Sequence, residues 1–422
     1  MSETGGDLCV VNALIDGEIA GLRAEGGLVA EVGPAVRARP GEAVLDAGGA
    51  ILSPPLINGH THAAMTLFRG HGDDLPLMRW LQEAIWPVEA RLEDEDVYWG
   101  TRLACLEMIR TGTTKFWDMY WQPDAVARAV RDAGIRAVVG PPMIDPKSDS
   151  DLAGRNDELL GQLASLGGYG PRIEAAVAPH SIYTVSTESL EFAFSVAKDM
   201  GLPVHIHLSE TEPEVEDCLS QFGVRPARYL DSLGLVTPET VLAHGVWLDD
   251  EELELIAARG ATVATNPVAN MKLAVGNAFP YPAARRAGVR LALGTDGAGS
   301  NNSLDLLADL KVFALLQRHH SASAEAIPVC EAWAIATGRR SDLVGDPTPL
   351  TVGGAADFLL LDGDSHELAL GDLTSSLVYS ASGAVVRTTV VDGRVLMENR
   401  RVEGATEVVA RARERAQSLG LG

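Results

Sequence analysis

Across the middle of the chain, short apolar runs alternate with longer stretches whose apolar positions recur every three or four residues. This is the signature of strands and helices in βα units around a parallel sheet. Eight runs are legible, at 50–57, 113–117, 136–139, 173–177, 203–206, 241–243, 261–264 and 290–293. They predict an α/β fold, a (β/α)8 TIM barrel whose chemistry gathers at the C-terminal ends of its strands. Helix signals support the reading. Ser186 precedes a stripe of Leu190, Ala193, Phe194 and Ala197 that Gly201 closes, and Asp249 with Glu252 forms a capping-box pattern that ends at Gly260.

The two ends of the chain differ from the middle. Runs at 8–14, 27–32 and 43–47, with a turn at Asp16-Gly17, read as short strands, as do 356–361, 385–391 and 394–397. Neither end is long enough to enclose a core. Together they predict a small β-sandwich domain of residues 1–55 plus 354–422, with residues 56–353 as the barrel domain, and 407–418 as a surface helix.

Composition narrows the function. The 422 residues carry 34 Lys and Arg against 58 Asp and Glu, a net charge of −24 that repels polyphosphate and disfavours a nucleic-acid polymer as partner. Cys9, Cys105, Cys218 and Cys330 form no C-x-x-C, so neither a disulfide framework nor a thiolate zinc site is expected. Residues 1–4 lack a basic start to an apolar run, and no apolar stretch is long enough for a membrane span. A cytoplasmic protein with a small-molecule ligand is expected.

Six of the ten histidines, His60, His62, His180, His205, His207 and His244, fall at strand ends, as does Asp296. In His60-Thr61-His62 the two imidazoles are one residue apart on an extended segment and point to the same side, so both can reach one metal ion. Alone, the motif reads equally well as two loop histidines; with the other strand ends it reads as a metal site. His205 taken singly reads as a group packed behind such a site. Glu210, three residues after His207, can swing beside a metal-bound water as general acid/base, although Ser209 to Glu212 also resembles a helix start. Ser300 to Ser303 reads as the entry to a helix at Leu304 that holds Asp296 in place, and Asn266, Asn270 and Lys272 either reach the site or close a loop.

Read in order, residues 55–62, Pro87-Val88-Glu89, 177–181, 205–211, Leu242-Ala243-His244 and 294–297 followed by 300–303 resemble the amidohydrolase superfamily over nearly the whole chain. Within it they resemble the deaminases of methylthioadenosine and S-adenosylhomocysteine, with triazine chlorohydrolases as relatives. The resemblance implies that His60, His62, His207 and Asp296 ligate one divalent metal, zinc by preference, and imidazole with carboxylate suits zinc. Binuclear relatives carry a modified lysine at the end of strand four, where this chain has Ala178-Pro179-His180. The resemblance also implies catalytic roles for Glu210, His244 and Asp296. Glu210 protonates the purine ring and the departing ammonia, His244 orients the nucleophile, and Asp296 accepts a proton. Substrate contacts fall to Glu89 at the ribose hydroxyls, His180 near the ring or sugar, Arg155 at the 5′ extension, and to Glu210 and Asp296 themselves.

The expected reaction is zinc-dependent hydrolytic deamination of a 6-aminopurine nucleoside: methylthioadenosine, S-adenosylhomocysteine, 5′-deoxyadenosine or adenosine. The alternative is another aminated or chlorinated heterocycle of the guanine, pterin or triazine type. One departure bears on the choice. Homocysteine-accepting relatives carry a second arginine after strand three, where this chain has Gly140-Pro141-Pro142-Met143-Ile144, which disfavours a carboxylate tail. Met65, Phe68, Trp80 and Trp86 either wall an apolar pocket or pack the core. Barrels of this family often assemble, so a homo-oligomer is among the expectations, with no interface legible.

Overall fold

The computed structural model describes residues 5–145 and 152–421; residues 1–4, where an export signal was not expected, lie outside that range. Among the described residues, eight parallel strands of two main sheets carry the middle of the chain, β1 (Leu56–Thr61), β2 (Thr113–Met119), β3 (Arg136–Gly140), β4 (Ile173–Ala175), β5 (Val204–Leu208), β6 (Thr240–His244), β7 (Thr262–Thr265) and β8 (Arg290–Leu293), and a short parallel pair, Pro142–Met143 with Ala178–Pro179, follows β3 and β4. The eight form two four-stranded sheets, in the orders β4-β3-β2-β1 and β5-β6-β7-β8. A bridge from Val177 to Val204 links one pair of edges, and the Asp296 N–H donates to His60 O at 3.0 Å across the other. Gly294 allows that second approach, because a Cβ there would collide with Asn266 Oδ1 and the His60 backbone.

All the strands but β8 differ from their predicted spans by a residue or more, and three of the differences bear on the site. The first breaks at Pro54-Pro55, which offer no N–H to a ladder: Ile51–Ser53 belongs to the terminal sheet and Leu56 opens β1. The strands β5 and β6 run on through His207 and His244, so His207 sits on the last position but one and His244 on the last position of its strand rather than beyond it. Both helix readings hold. Ser186 caps Thr187–Met200, whose stripe buries Leu190, Ala193 and Ala197 but leaves Phe194 half-buried, and Asp249 with Glu252 forms the capping box of Asp250–Arg259. The helix expected at Leu304 begins at Leu306, capped by Asp305.

The two ends of the chain build one sheet. Among the described residues its order is Arg394–Met397, Val386–Val391, Phe358–Leu361, Ile51–Ser53, Leu8–Ile15, Glu18–Glu25 and Leu28–Gly33, with Val44–Asp46 beside Leu8–Ile15. Glu18–Glu25 escaped the sequence reading because Gly21 and Arg23 interrupt its apolar pattern; Arg23 is buried, paired with Glu31 and Glu42 and donating to Arg37 O. Arg136 at the start of β3 ties the two parts together through Asp357 at 2.7 Å and Asp392 at 3.2 Å. The last helix is Ala405–Leu419. No helix among the described residues is long and apolar enough to cross a membrane.

Candidate metal centre and cleft

The C-terminal ends of β1, β5, β6 and the turn after β8 bring four imidazoles and a carboxylate together. The ligand-type atoms of His60, His62 and His207 lie within 4.8 Å of one another, as do those of His60, His244 and Asp296. Asp296 Oδ1 stands 3.2 Å from His62 Nε2 and 3.4 Å from His60 Nε2, while His207 Nε2 is 3.3 Å from His62 Nε2. Two nitrogen atoms at that separation, with a carboxylate beside them, form a donor set arranged around a cation. His60 Nε2 and Asp296 Oδ1 are buried with no hydrogen-bond partner among the described residues. Such orphaned atoms are costly unless something of opposite character is bound there.

Each ring is aimed from behind. His62 Nδ1 donates to Met119 O at 2.6 Å and His207 Nδ1 to His180 O at 2.7 Å, so both present Nε2 to the centre. His60 Nδ1 lies 2.8 Å from His205 Nε2. Burial pushes His60 down to about 4 and His180 to about 3, and His207 well below the ordinary range, leaving neutral rings with free lone pairs. His62 differs. Burial opposes its charge, but the facing Asp296 outweighs that and raises it to about 9; the same imidazoles hold Asp296 well below its usual range against its own burial. An entering cation displaces a proton from this pair. The residues therefore fit a divalent metal.

Backbone strain marks the rim. Ser209, His244 and Asp296, all non-glycine, adopt φ of +49°, +75° and +61° at three of the strand ends. Side chains brace these turns. Ser300 Oγ donates to Asp296 Oδ2 at 2.6 Å, as its sequence position suggested, and Thr61 Oγ donates to Asp296 O at 2.9 Å. Glu214, which sequence reasoning missed, accepts from the N–H of Ser209 at 2.7 Å and of Glu210 at 2.8 Å. The available signal was Thr211 with Glu214 three residues on, a capping-box spacing. Thr211 caps Glu212–Phe222, but the Glu214 carboxylate reaches past it to the turn.

The metal-type donors His62, His207, His244 and Asp296 line a cleft that is open to solvent. Glu210, buried, lies 3.8 Å from His244 Nδ1, and its carboxyl is raised by desolvation although His244 pulls it down. His244 Nδ1 donates to Asn270 Oδ1 at 2.8 Å, so Asn270 reaches the site. Lys272 instead closes the loop, bonded to Asp73 and Gly299 O. Glu89 and His180 line the same cleft, and burial raises the Glu89 carboxyl while Tyr120 and Trp121 facing it pull it down.

The apolar wall is Met65, Trp80, Trp86 and Ile144, with Pro142 beside them; Phe68 is not part of it and packs into the core. Trp80–Ile85 forms a widened helical turn, a distortion that turns Trp80 and Ile85 toward the cleft. Arg155 stands apart from the other predicted contacts. It lies on Leu152–Leu166, 3.5 Å from Asp145, and lines an adjoining cavity that shares Trp121, Pro142 and Ile144 with the cleft.

The amidohydrolase family model matches residues 51–396 of this chain. The 5′-deoxyadenosine deaminase of Methanoregula boonei is 44% identical over 400 residues, which cover 93% of this chain and 90% of the relative. The 5-methylthioadenosine/S-adenosylhomocysteine deaminase 1 of Archaeoglobus fulgidus is 39% identical over 403 residues, 94% of each chain. An adenosine deaminase from Xanthomonas campestris, solved with bound zinc, superposes with a TM-score of 0.90 at 34% identity, covering 99% of both chains.

Proposed function

The chain belongs to the amidohydrolase family, and from that premise we propose that it is a metal-dependent hydrolase that deaminates a 6-aminopurine nucleoside. The two parallel sheets are read as halves of one (β/α)8 barrel spanning residues 56–353, and the terminal sheet as the small β-sandwich domain of residues 1–55 and 354–422. One observation carries the functional reading. A carboxylate with a raised pKa, Glu210, and a second acid, Glu89, share a cleft with His62, His207 and Asp296, and the ligand-type atoms of His60 stand within 4.8 Å of those three behind the cleft surface.

Those four residues would hold a single divalent ion, with zinc as the preferred metal. When bound, it supplies the Lewis acidity that makes water nucleophilic near neutral pH. Glu210 carries one proton of the attacking water to the purine ring nitrogen; the second, given up by the C6 hydroxyl as the C–N bond breaks, passes by way of Asp296 and Glu210 to the leaving amine, which departs as ammonia. A carboxylate whose pKa lies above the ordinary range is better matched to that return trip than an ordinary one. His244, held by Asn270, hydrogen-bonds the attacking water and fixes its angle to the purine C6. Asp296 is kept anionic and can accept a proton as the tetrahedral carbon collapses.

Glu89 has two oxygen atoms for the paired ribose hydroxyls, and His180, neutral at physiological pH, contacts the ring or sugar. The 5′ group lies against Trp80, Trp86 and Ile144, which favours an uncharged substituent as in 5′-deoxyadenosine or methylthioadenosine. A substituent long enough to pass Trp121 and Ile144 would meet Arg155.

The test is ammonia release by the zinc-loaded protein from methylthioadenosine, S-adenosylhomocysteine, 5′-deoxyadenosine, adenosine, guanine and a chlorotriazine. Turnover confined to the nucleosides, with the uncharged 5′ groups ahead, is the expected result. The variant Glu89→Ala should raise KM for nucleosides by the equivalent of about 1.5–3 kcal/mol, the value of hydrogen bonds to a charged group. Turnover of only the free base or the triazine, or nucleoside kinetics indifferent to Glu89, contradicts the reading.

A further inference from the structure

Three histidines present Nε2 to the metal centre, and what stands behind each ring differs. A backbone carbonyl can only accept, so Met119 O and His180 O force the proton of His62 and His207 onto Nδ1 and leave Nε2 free as a ligand. Behind His60 there is no carbonyl. Its Nδ1 meets an imidazole, His205 Nε2, at 2.8 Å, and that contact works in either direction. If His205 Nε2 carried the proton, His60 Nδ1 would have to accept it, the His60 proton would move to Nε2, and that atom would no longer bind a cation.

The arrangement of β5 makes His205 well suited to this task. His205 and His207 are two residues apart on one strand and so project to the same side, as His60 and His62 do on β1. The result is two tiers, with His207 and His62 at the rim and His205 beneath His60. His205 is fully buried, and its ring meets those of His60 and Trp117 edge-on at 4.9 and 5.7 Å. Its Nδ1 has no hydrogen-bond partner among the described residues.

We propose that His205 is a positioning residue that sets the tautomer and orientation of His60, its own proton lying on Nδ1 where a buried water accepts it. The proposal rests on His60 being a metal ligand. It accounts for a fully buried polar side chain that makes one hydrogen bond and touches no part of the cleft. A buried water there is the usual way of satisfying a donor that the protein leaves unpaired. Trp117 Nε1, buried and likewise without a hydrogen-bond partner among the described residues, belongs to a ring that packs against His205 and is a candidate to share it.

Two measurements decide it. In zinc-loaded wild-type protein labelled with 15N-histidine, the tautomer of each ring is read from its long-range N–H correlations; His205 should be protonated at Nδ1 and not at Nε2. Protonation at Nε2 overturns the proposal, and this measurement needs no variant to fold. Zinc affinity by chelator competition is the second. His205→Phe, checked for native circular dichroism, should bind zinc about 10- to 100-fold more weakly, and His205→Gln, which keeps an acceptor, should recover most of that loss. Unchanged affinity in the folded Phe variant overturns the proposal. His60→Ala separates the two levels: if it binds zinc as the wild type does, the ligand assignment fails and the role of His205 falls with it.

Discussion

Arg23 in the terminal sheet and Asp296 at the barrel rim are both buried charges, and the protein treats them in opposite ways. Arg23 is surrounded by acceptors, with Glu31, Glu42 and Arg37 O taking its donors, and no residue of the metal centre is near it in the network. Asp296 has one oxygen held by Ser300 and the other facing two imidazoles with no hydrogen bond, on a backbone in the left-handed region. A satisfied buried charge specifies a fold; a buried charge left open, on strained backbone, is poised for a ligand. The same contrast separates Arg136, paired with both Asp357 and Asp392, from His60, whose Nε2 is open.

If that contrast is right, changes at the rim cost rate and changes in the sheet cost stability. The largest effect belongs to Glu210→Gln, which should lower kcat by about 10²- to 10⁴-fold while zinc content and melting temperature stay near wild type. A parallel fall in metal content would mean that Glu210 is a ligand. Next comes Arg23→Met, which leaves Glu31 and Glu42 without their partner. Because both acids are partly exposed, water takes over some of the loss, and urea unfolding should show about 1–3 kcal/mol of destabilisation with kcat per folded molecule unchanged. A fall in kcat there would dissolve the division of labour.

The smallest effect is on pH dependence. Glu210 accepts a proton only when ionised, and burial raises its pKa, so activity is retained above that pKa and lost as pH falls through it. The acidic limb of kcat/KM should therefore lie above the pKa of a solvated glutamate. A limb at or below that value would show Glu210 to be better solvated than its burial implies.

Much of this was legible in the sequence because it follows from periodicity. Strand runs with a fixed period and histidines one residue apart place side chains on a known face, so His60, His62 and His207 could be brought to one point before any coordinates. What escaped has no period. Arg23 breaks the pattern of its strand because its partners lie 8 and 19 residues away, and Glu214 acts on two backbone N–H groups, which carry no residue identity. Asn270 was one of three polar residues after β7, and only the fold of that loop distinguishes it, bonded to His244, from Lys272, bonded to Asp73. Arg155 shows the same limit: its distance along the chain from His180 says nothing of the side on which its helix presents it, and only the fold places it in the cavity that adjoins the cleft.

The decisive experiment is a zinc titration of metal-stripped protein, with binding and ammonia release from 5′-deoxyadenosine followed in the same samples. One equivalent of zinc per chain, with turnover rising in step and reaching its plateau at that point, is the predicted result. Turnover that survives stripping, or that needs a second equivalent, would contradict a single metal held by His60, His62, His207 and Asp296.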